Sequence, residues 1–404
     1  MTSAPFRFSS SRLAVLLVAF AALAVGCEVA TPAPAEPPAE PTAVAAPRST
    51  GDLAPAVLVP TAAGLAIDAI DAQIASTRVL AAAQGGWIRS GQVATLYLHR
   101  ARLSGDVGDY LRAEAALEAA FTNAVAGSGP LLTRASFNMT VHRAELVEAD
   151  LVQFERRPLK KDEEIATIAG LRGDVALQQG DRTAALAAFE RAEVTHPTVM
   201  SAGRIAGYHR TRGDFDEAAR WYERAIERAD GEAGVQRAWA LVQRGELEFE
   251  QQRFREALEY FERANASFDG WFMVEGRIAA AKLELGDVEE AITLYESVVA
   301  RVPDGASMAG LSEAWKLAGD EKKAAQWQSR AAAAFERDIR RMPSAVSSHA
   351  LDFFLTSQPQ RALEIARQNA VVRPGPQSRA KLAQALLING RSDEARQVLA
   401  AASP

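Results

Sequence analysis

From about residue 61 to the C-terminus, apolar residues return every three or four positions between short turn signals, and β-branched residues form no one-on, one-off alternation. The pattern predicts an all-α body of short helices. Its clearest segment runs Gly213-Asp214-Phe215-Asp216-Glu217-Ala218-Ala219-Arg220-Trp221-Tyr222 and closes on Ala225. A turn residue and a capping residue lead there to Ala, an aromatic and a second Ala, spaced by four and then three. Degenerate copies recur: Gly180-Asp181 leads to Ala185, Phe189 and Ala192, Gln252-Arg253 to Ala257, Phe261 and Ala264, and Gly286-Asp287 to Ala291 and Tyr295. Gly319-Asp320 leads to Ala324 and Ala331, and Gly390-Arg391 to Ala395, Leu399 and Ala402. From Gly180 through Gly213, Gln252, Gly286, Gly319 and Ser357 to Gly390 the steps are 33, 39, 34, 33, 38 and 33 residues.

Each part of the pattern has a mechanical reason. Glycine enters the left-handed conformation that ends one helix, and the Asp after it can accept hydrogen bonds from the free amides that open the next. Small Ala residues let two helices approach, while the aromatic one turn later fills the gap to the next pair. Pro197, Pro303 and Pro374 stop the second helix where a unit should end. Extra residues at 229–234 and 337–344 account for the longer steps and are expected to be loops between units.

These residues resemble the tetratricopeptide repeat, a helix-turn-helix unit of about 34 residues, and the resemblance covers roughly 90–404. It implies a right-handed superhelix, an α-solenoid of stacked hairpins, with about eight units over 61–404. The match is weak over 61–160, clear over 165–335, degenerate over 343–375 and clear again over 376–404. Upstream, Gly108-Asp109 leads to Ala113, Leu117 and Ala120, and Pro130 and Pro158 bracket a degenerate hairpin at 131–155. The stretch 61–80 is expected to be a single helix capping the stack. Two departures stand out: Gln328 occupies an aromatic position, and the unit at 347–373 lacks the Gly-Asp turn.

The N-terminus is of another kind. Arg7 and Arg12 precede an uncharged apolar run over 13–25, too short for the ~20 residues of a spanning helix and suited to a secretory leader. Ala24-Val25-Gly26-Cys27 resembles the lipobox of bacterial lipoproteins, with Ala24 where that family prefers Leu. The resemblance implies a signal peptide at 1–26 and lipidation of Cys27, the only cysteine, which also excludes an intrachain disulfide. Glu28, in place of the Asp that marks inner-membrane retention, favours the outer membrane facing the periplasm. Residues 27–60 are rich in Pro and Ala with little to bury; as an extended tether they reach on the order of 100 Å.

Composition narrows the function. A net charge of −6 without a basic cluster argues against nucleic acid as partner. The five histidines show no metal spacing, and His142, Glu145 and Glu148, placed on one helical face, read as surface. No phosphate-binding glycine loop or nucleophile elbow appears, so neither cofactor nor catalysis is expected. An enzymatic site would have to lie in 61–160. If first helices line the concave groove, its exposed positions include Arg210, Trp239, Glu246, Phe249, Glu250, Met273 and Glu284, with the three apolar ones as anchors or as packing between hairpins. The Glu residues would favour a basic rim on the partner. The expected function is a lipid-anchored envelope scaffold that binds protein or peptide partners; the alternative is a structural component that self-associates through its stack ends.

Overall fold

The turns marked in the sequence separate paired helices throughout the computed structural model, which describes residues 60–229 and 234–400. The leader expected at 1–26, Cys27 and nearly all of the tether lie outside the described residues, as do residues 230–233. Within those described, every regular element is helical. A first helix α1 (Ala62–Gln84) precedes nine hairpins. They are α2 (Trp87–Ser104) with α3 (Gly108–Thr122), α4 (Leu131–Thr140) with α5 (Val147–Glu155), and α6 (Asp162–Gln179) with α7 (Arg182–Thr195). Then come α8 (Val199–Arg212) with α9 (Phe215–Arg228), α10 (Gly234–Glu250) with α11 (Phe254–Ser267), and α12 (Phe272–Leu285) with α13 (Val288–Arg301). The last are α14 (Gly305–Leu317) with α15 (Glu321–Arg341), α16 (Pro343–Ser357) with α17 (Pro359–Val372), and α18 (Pro376–Ile388) with α19 (Ser392–Ala400). The fold is an all-α solenoid.

The hairpin count exceeds the expected eight by one, and the degenerate stretch bracketed by Pro130 and Pro158 is one of the nine, as expected. The glycine half of the turn chemistry is as the pattern requires, since Gly180, Gly213, Gly286, Gly319 and Gly390 all have positive φ, whereas the Asp cap forms at two of the four Gly-Asp turns from Gly180 to Gly319. Gly213 is left-handed at φ 80°, with Gly213 N–H donating to the Arg210 carbonyl and Asp214 N–H to the His209 carbonyl, which ties off α8. Gln252 takes up the same conformation at φ 59° without being glycine. Asp181 and Asp320 cap the following helices through their side chains, whereas Asp214 turns back to Arg212 at 3.2 Å and makes no cap bond.

The repeated Ala and aromatic positions are the core. Ala185, Ala218, Ala257 and Ala291 are fully buried, and Phe189, Tyr222, Phe261 and Tyr295 are buried to within a few per cent. Where Gln328 breaks the pattern it is exposed, and Trp327 one step earlier packs instead against the apolar cluster that contains Tyr295, Leu311 and Ala314. The expected loop at 337–344 is mostly helix, since α15 runs on to Arg341 and Pro343 at once opens α16. The reason is local: Phe335 and Ile339 lie one turn apart on one face and both bury against α16.

Two long-range closures shape the molecule. The start of α18 meets the end of α6: Gly375 lies against the Gln178 carbonyl, and Pro376 against Gly180. Secondly, α1, a single helix packed on α2 of the first hairpin as expected, also reaches beyond it. Its first amides reach the α11–α12 loop, with Ala62 N–H donating to Asp269 Oδ1 at 2.7 Å and Ala63 N–H to the Asp269 carbonyl at 3.0 Å. The indole of Trp271 donates to the Arg102 carbonyl at 3.0 Å, and Gly105 brings the α2–α3 turn so close to Phe272 that a Cβ there would lie 2.9 Å from its ring. Arg100 binds this N-terminal unit together, pairing with Asp71 of α1 and with the buried Asp109 of α3.

Candidate functional site

Successive first helices α6, α8, α10, α12, α14 and α16 each approach the next, while the second helices make no comparable approach among the described residues. The first helices therefore form the inner face, and the charges on it pair with one another. Asp174 of α6 meets Arg204 of α8 at 3.0 Å. Arg210 of α8 meets Glu250 of α10 at 2.8 Å and Glu246 at 3.7 Å, and Glu246 meets Arg277 of α12 at 2.5 Å. Burial pushes the Asp174 carboxyl up despite its guanidinium neighbour. The acidic residues expected to attract a basic rim are thus matched within the chain.

None of the seven groove positions is exposed. Glu246 and Phe249 are buried at 5% and 6% exposure. Phe249 packs edge-on to Phe254 with ring centres 5.0 Å apart, and the half-buried Trp239 lies over Gly203 of α8. The expectation of an open groove at these positions is corrected by the closeness of neighbouring first helices, which lets a long side chain from one reach the next. Trp239, as packing, fills the space that the missing Gly203 side chain leaves.

Three of the seven, Phe249, Met273 and Glu284, line a cavity of about 270 Å³ on the inner face. Its walls are α12 along its whole length, the start of α14, the later part of α15 and the start of α16, and the α2–α3 turn and the segment at the end of α4 also line it. Arg210, Trp239, Glu246 and Glu250 lie outside it. The cavity also gathers Arg102, Tyr110, His142, Asp304 and His349, none of which the sequence had grouped. No local spacing could have found them, since they come from units far apart in the chain. His142 is not on a helical face with Glu145 and Glu148: α4 ends at Thr140, and His142 turns into the left-handed region at φ 59°.

Burial decides the protonation states here. His349 is pulled down to about 4, by burial first and by the Arg373 charge second. His142, 6.0 Å from His349 between ring centres, is lowered by burial, then by Arg373 and His349, so both rings are neutral at neutral pH. Asp304 caps α14 by accepting from the amides of Ala306 and Ser307, both at 2.9 Å, while burial pushes its carboxyl up. Among the described residues no group of three or more His, Cys, Asp or Glu is placed to hold a metal ion, and no helix is long and apolar enough to cross a membrane.

Two segments match family models of the tetratricopeptide repeat, residues 198–267 and 277–339. No curated protein matches the chain. Among solved structures it is similar to PilW, described as a widely conserved type IV pilus biogenesis factor, at 14% identity over 52% of this chain and 95% of that one, with a TM-score of 0.42. It is also similar to yeast Tom70 at 13% identity over 83% and 88% of the two chains, TM-score 0.38. A thermophilic tetratricopeptide protein of Thermus thermophilus shares 24% identity over 41% and 89%, TM-score 0.32.

Proposed function

From the tetratricopeptide repeats matched at 198–267 and 277–339, we propose that the chain is a non-catalytic scaffold, lipid-anchored through Cys27 in a bacterial envelope, that binds protein or peptide partners on its inner face. The observation that carries the reading is the unbroken run of six hairpins from α6 to α17, whose first helices make one continuous face. Stacked repeats hold such a face rigid, which lowers the ordering cost of binding. The half-buried positions Met273 and Glu284 are where a partner would reach it, beside the cavity.

In-cell crosslinking of the full chain tests the scaffold reading. A photoreactive residue at position 273 or 284 should capture a protein partner, whereas one at the exposed position 296 of α13 should not. Adducts at 296 alone would place binding elsewhere, and no adduct at any position would sink the proposal. The anchor has its own test: Cys27→Ser should release the protein from membranes and abolish acyl labelling, and retention of both would refute lipidation.

A second reading rests on the last hairpin. It leaves Leu387, Ile388 and Leu399 exposed at 53%, 46% and 48%, which favours self-association through that end of the stack. A single monomeric species in sedimentation at high micromolar concentration would exclude it.

A further inference from the structure

The inner cavity has a lopsided electrostatic character that partner binding does not explain. Most of its charged groups lie in defined contacts: Asp304 caps α14, Asp338 pairs with Arg337 at 2.9 Å, and Arg277 pairs with Glu246 at 2.5 Å. The lining also holds Arg102, Tyr110 and the two neutral histidines, and no carboxylate of the described residues bonds to the Arg102 guanidinium. Arg373, behind the histidines, bonds to the Ser344 carbonyl, and its Nε has no partner among the described residues. Burial without an opposite charge lowers both guanidiniums, Arg373 to about 10. Both are half-buried, and a cation partly withdrawn from water at a cavity without a counter-charge suits an anion that is not part of the chain.

We propose that this cavity binds a small organic acid, its carboxylate held by Arg102 and the Tyr110 hydroxyl and its apolar body seated against Phe272, Met273 and Val346. The size fits such a ligand. About 270 Å³ lies just under the low end of the ~300–1,000 Å³ of drug-sized pockets, too little for a peptide helix and sufficient for a short aliphatic or aromatic acid. The chemistry fits as well: Arg presents a planar fork of donors that matches a carboxylate in two-point contact. His142 and His349 as neutral rings add polarity without a competing charge. The site exists only because the N-terminal unit closes over the stack, so an occupant touches both and holds them together. This proposal is independent of the protein-scaffold reading.

The test uses the purified full chain with hexanoate and phenylacetate as probes, and hexanamide and phenylacetamide as uncharged controls of the same shape, followed by calorimetry and thermal melting. At least one acid should bind and raise the melting temperature, with its amide binding at least tenfold more weakly. Arg102→Met should fold, melt no lower than wild type without probe, and lose at least tenfold in acid affinity. If that variant fails to fold, Tyr110→Phe, which keeps the ring and removes the hydroxyl, should weaken acid binding severalfold. The proposal is overturned if neither acid binds at millimolar concentration, if the amides bind as well as the acids, or if acid affinity survives in whichever of the two variants folds.

Discussion

At the scale of single residues, the inner face is held by charges that depend on one another. Glu246 is buried and shared between Arg277 and Arg210, so replacing it removes a carboxylate from two guanidiniums that are themselves only 17% and 10% exposed. Breaking one side of a buried pair costs about 3 kcal/mol, whereas replacing both sides by apolar groups is often neutral. Glu246→Ala should therefore lower stability by about 3 kcal/mol in urea titrations, and Glu246→Ala with Arg277→Met should recover part of that loss. The buried histidines add a pH dependence. His99 and His349 stand near 4 in the folded chain against 6.5 unfolded, and His142 is also lowered. Above pH 6.5 the rings are neutral in both states and their contribution is complete. As pH falls from 6.5 towards 4, the unfolded chain takes up protons that the folded chain refuses, and stability is lost across that window. His349→Gln removes one such group, so any stability advantage of wild type over the variant should shrink between about pH 7 and about pH 4.5; an unchanged gap would mean that His349 is not held neutral.

At the scale of the helix, the small residue and the aromatic that meet inside a hairpin stand sixteen apart: Gly173 with Phe189, Ala206 with Tyr222, Gly245 with Phe261, and Ala279 with Tyr295. The Ala-aromatic-Ala half of this lock was legible in the sequence, because it repeats within two turns of one helix. Its other half lies on the preceding helix, beyond a local window, and was not read. At position 245 the lock leaves no room: a Cβ there would sit 2.6 Å from the Phe261 ring. Gly245→Val should cost about 1–3 kcal/mol by overpacking. Gly207, also within a first helix, is the contrast, since the nearest atom to a Cβ there is the Tyr222 hydroxyl at 4.0 Å. Gly207→Ala should be neutral or stabilise by up to about 1 kcal/mol through helix propensity. Chemical denaturation of the two variants side by side checks the opposite signs, and equal destabilisation by both would show that the close approach to Phe261 is not what decides.

For the whole molecule, what was legible and what was not divide along contact range. Period, turn chemistry and the fold class follow from interactions within about thirty-five residues, so the sequence displayed them. The placement of α1 and the gathering of Arg102 with His349 depend on contacts such as Asp269 to Ala62 and Trp271 to Arg102, separated by 207 and 169 residues, which leave no periodic trace. The same division predicts how the molecule opens. The N-terminal unit is tied internally by Arg100, Asp71 and Asp109, and it is joined to the stack by a hydrophobic core shared with α15–α19 as well as by the contacts at the α11–α12 loop. Loosening the loop contacts should therefore free the start of α1 first, while the shared core keeps the rest of the unit on the stack. Asp269→Ala removes the carboxylate that holds the first amide of α1, an interaction comparable to a helix N-cap at about 1 kcal/mol. Hydrogen exchange at 62–66 should then quicken roughly fivefold, with protection in α8–α10 and α14–α15 unchanged. If protection fell equally in those helices, the Asp269 contact would be holding the stack as a whole rather than the start of α1.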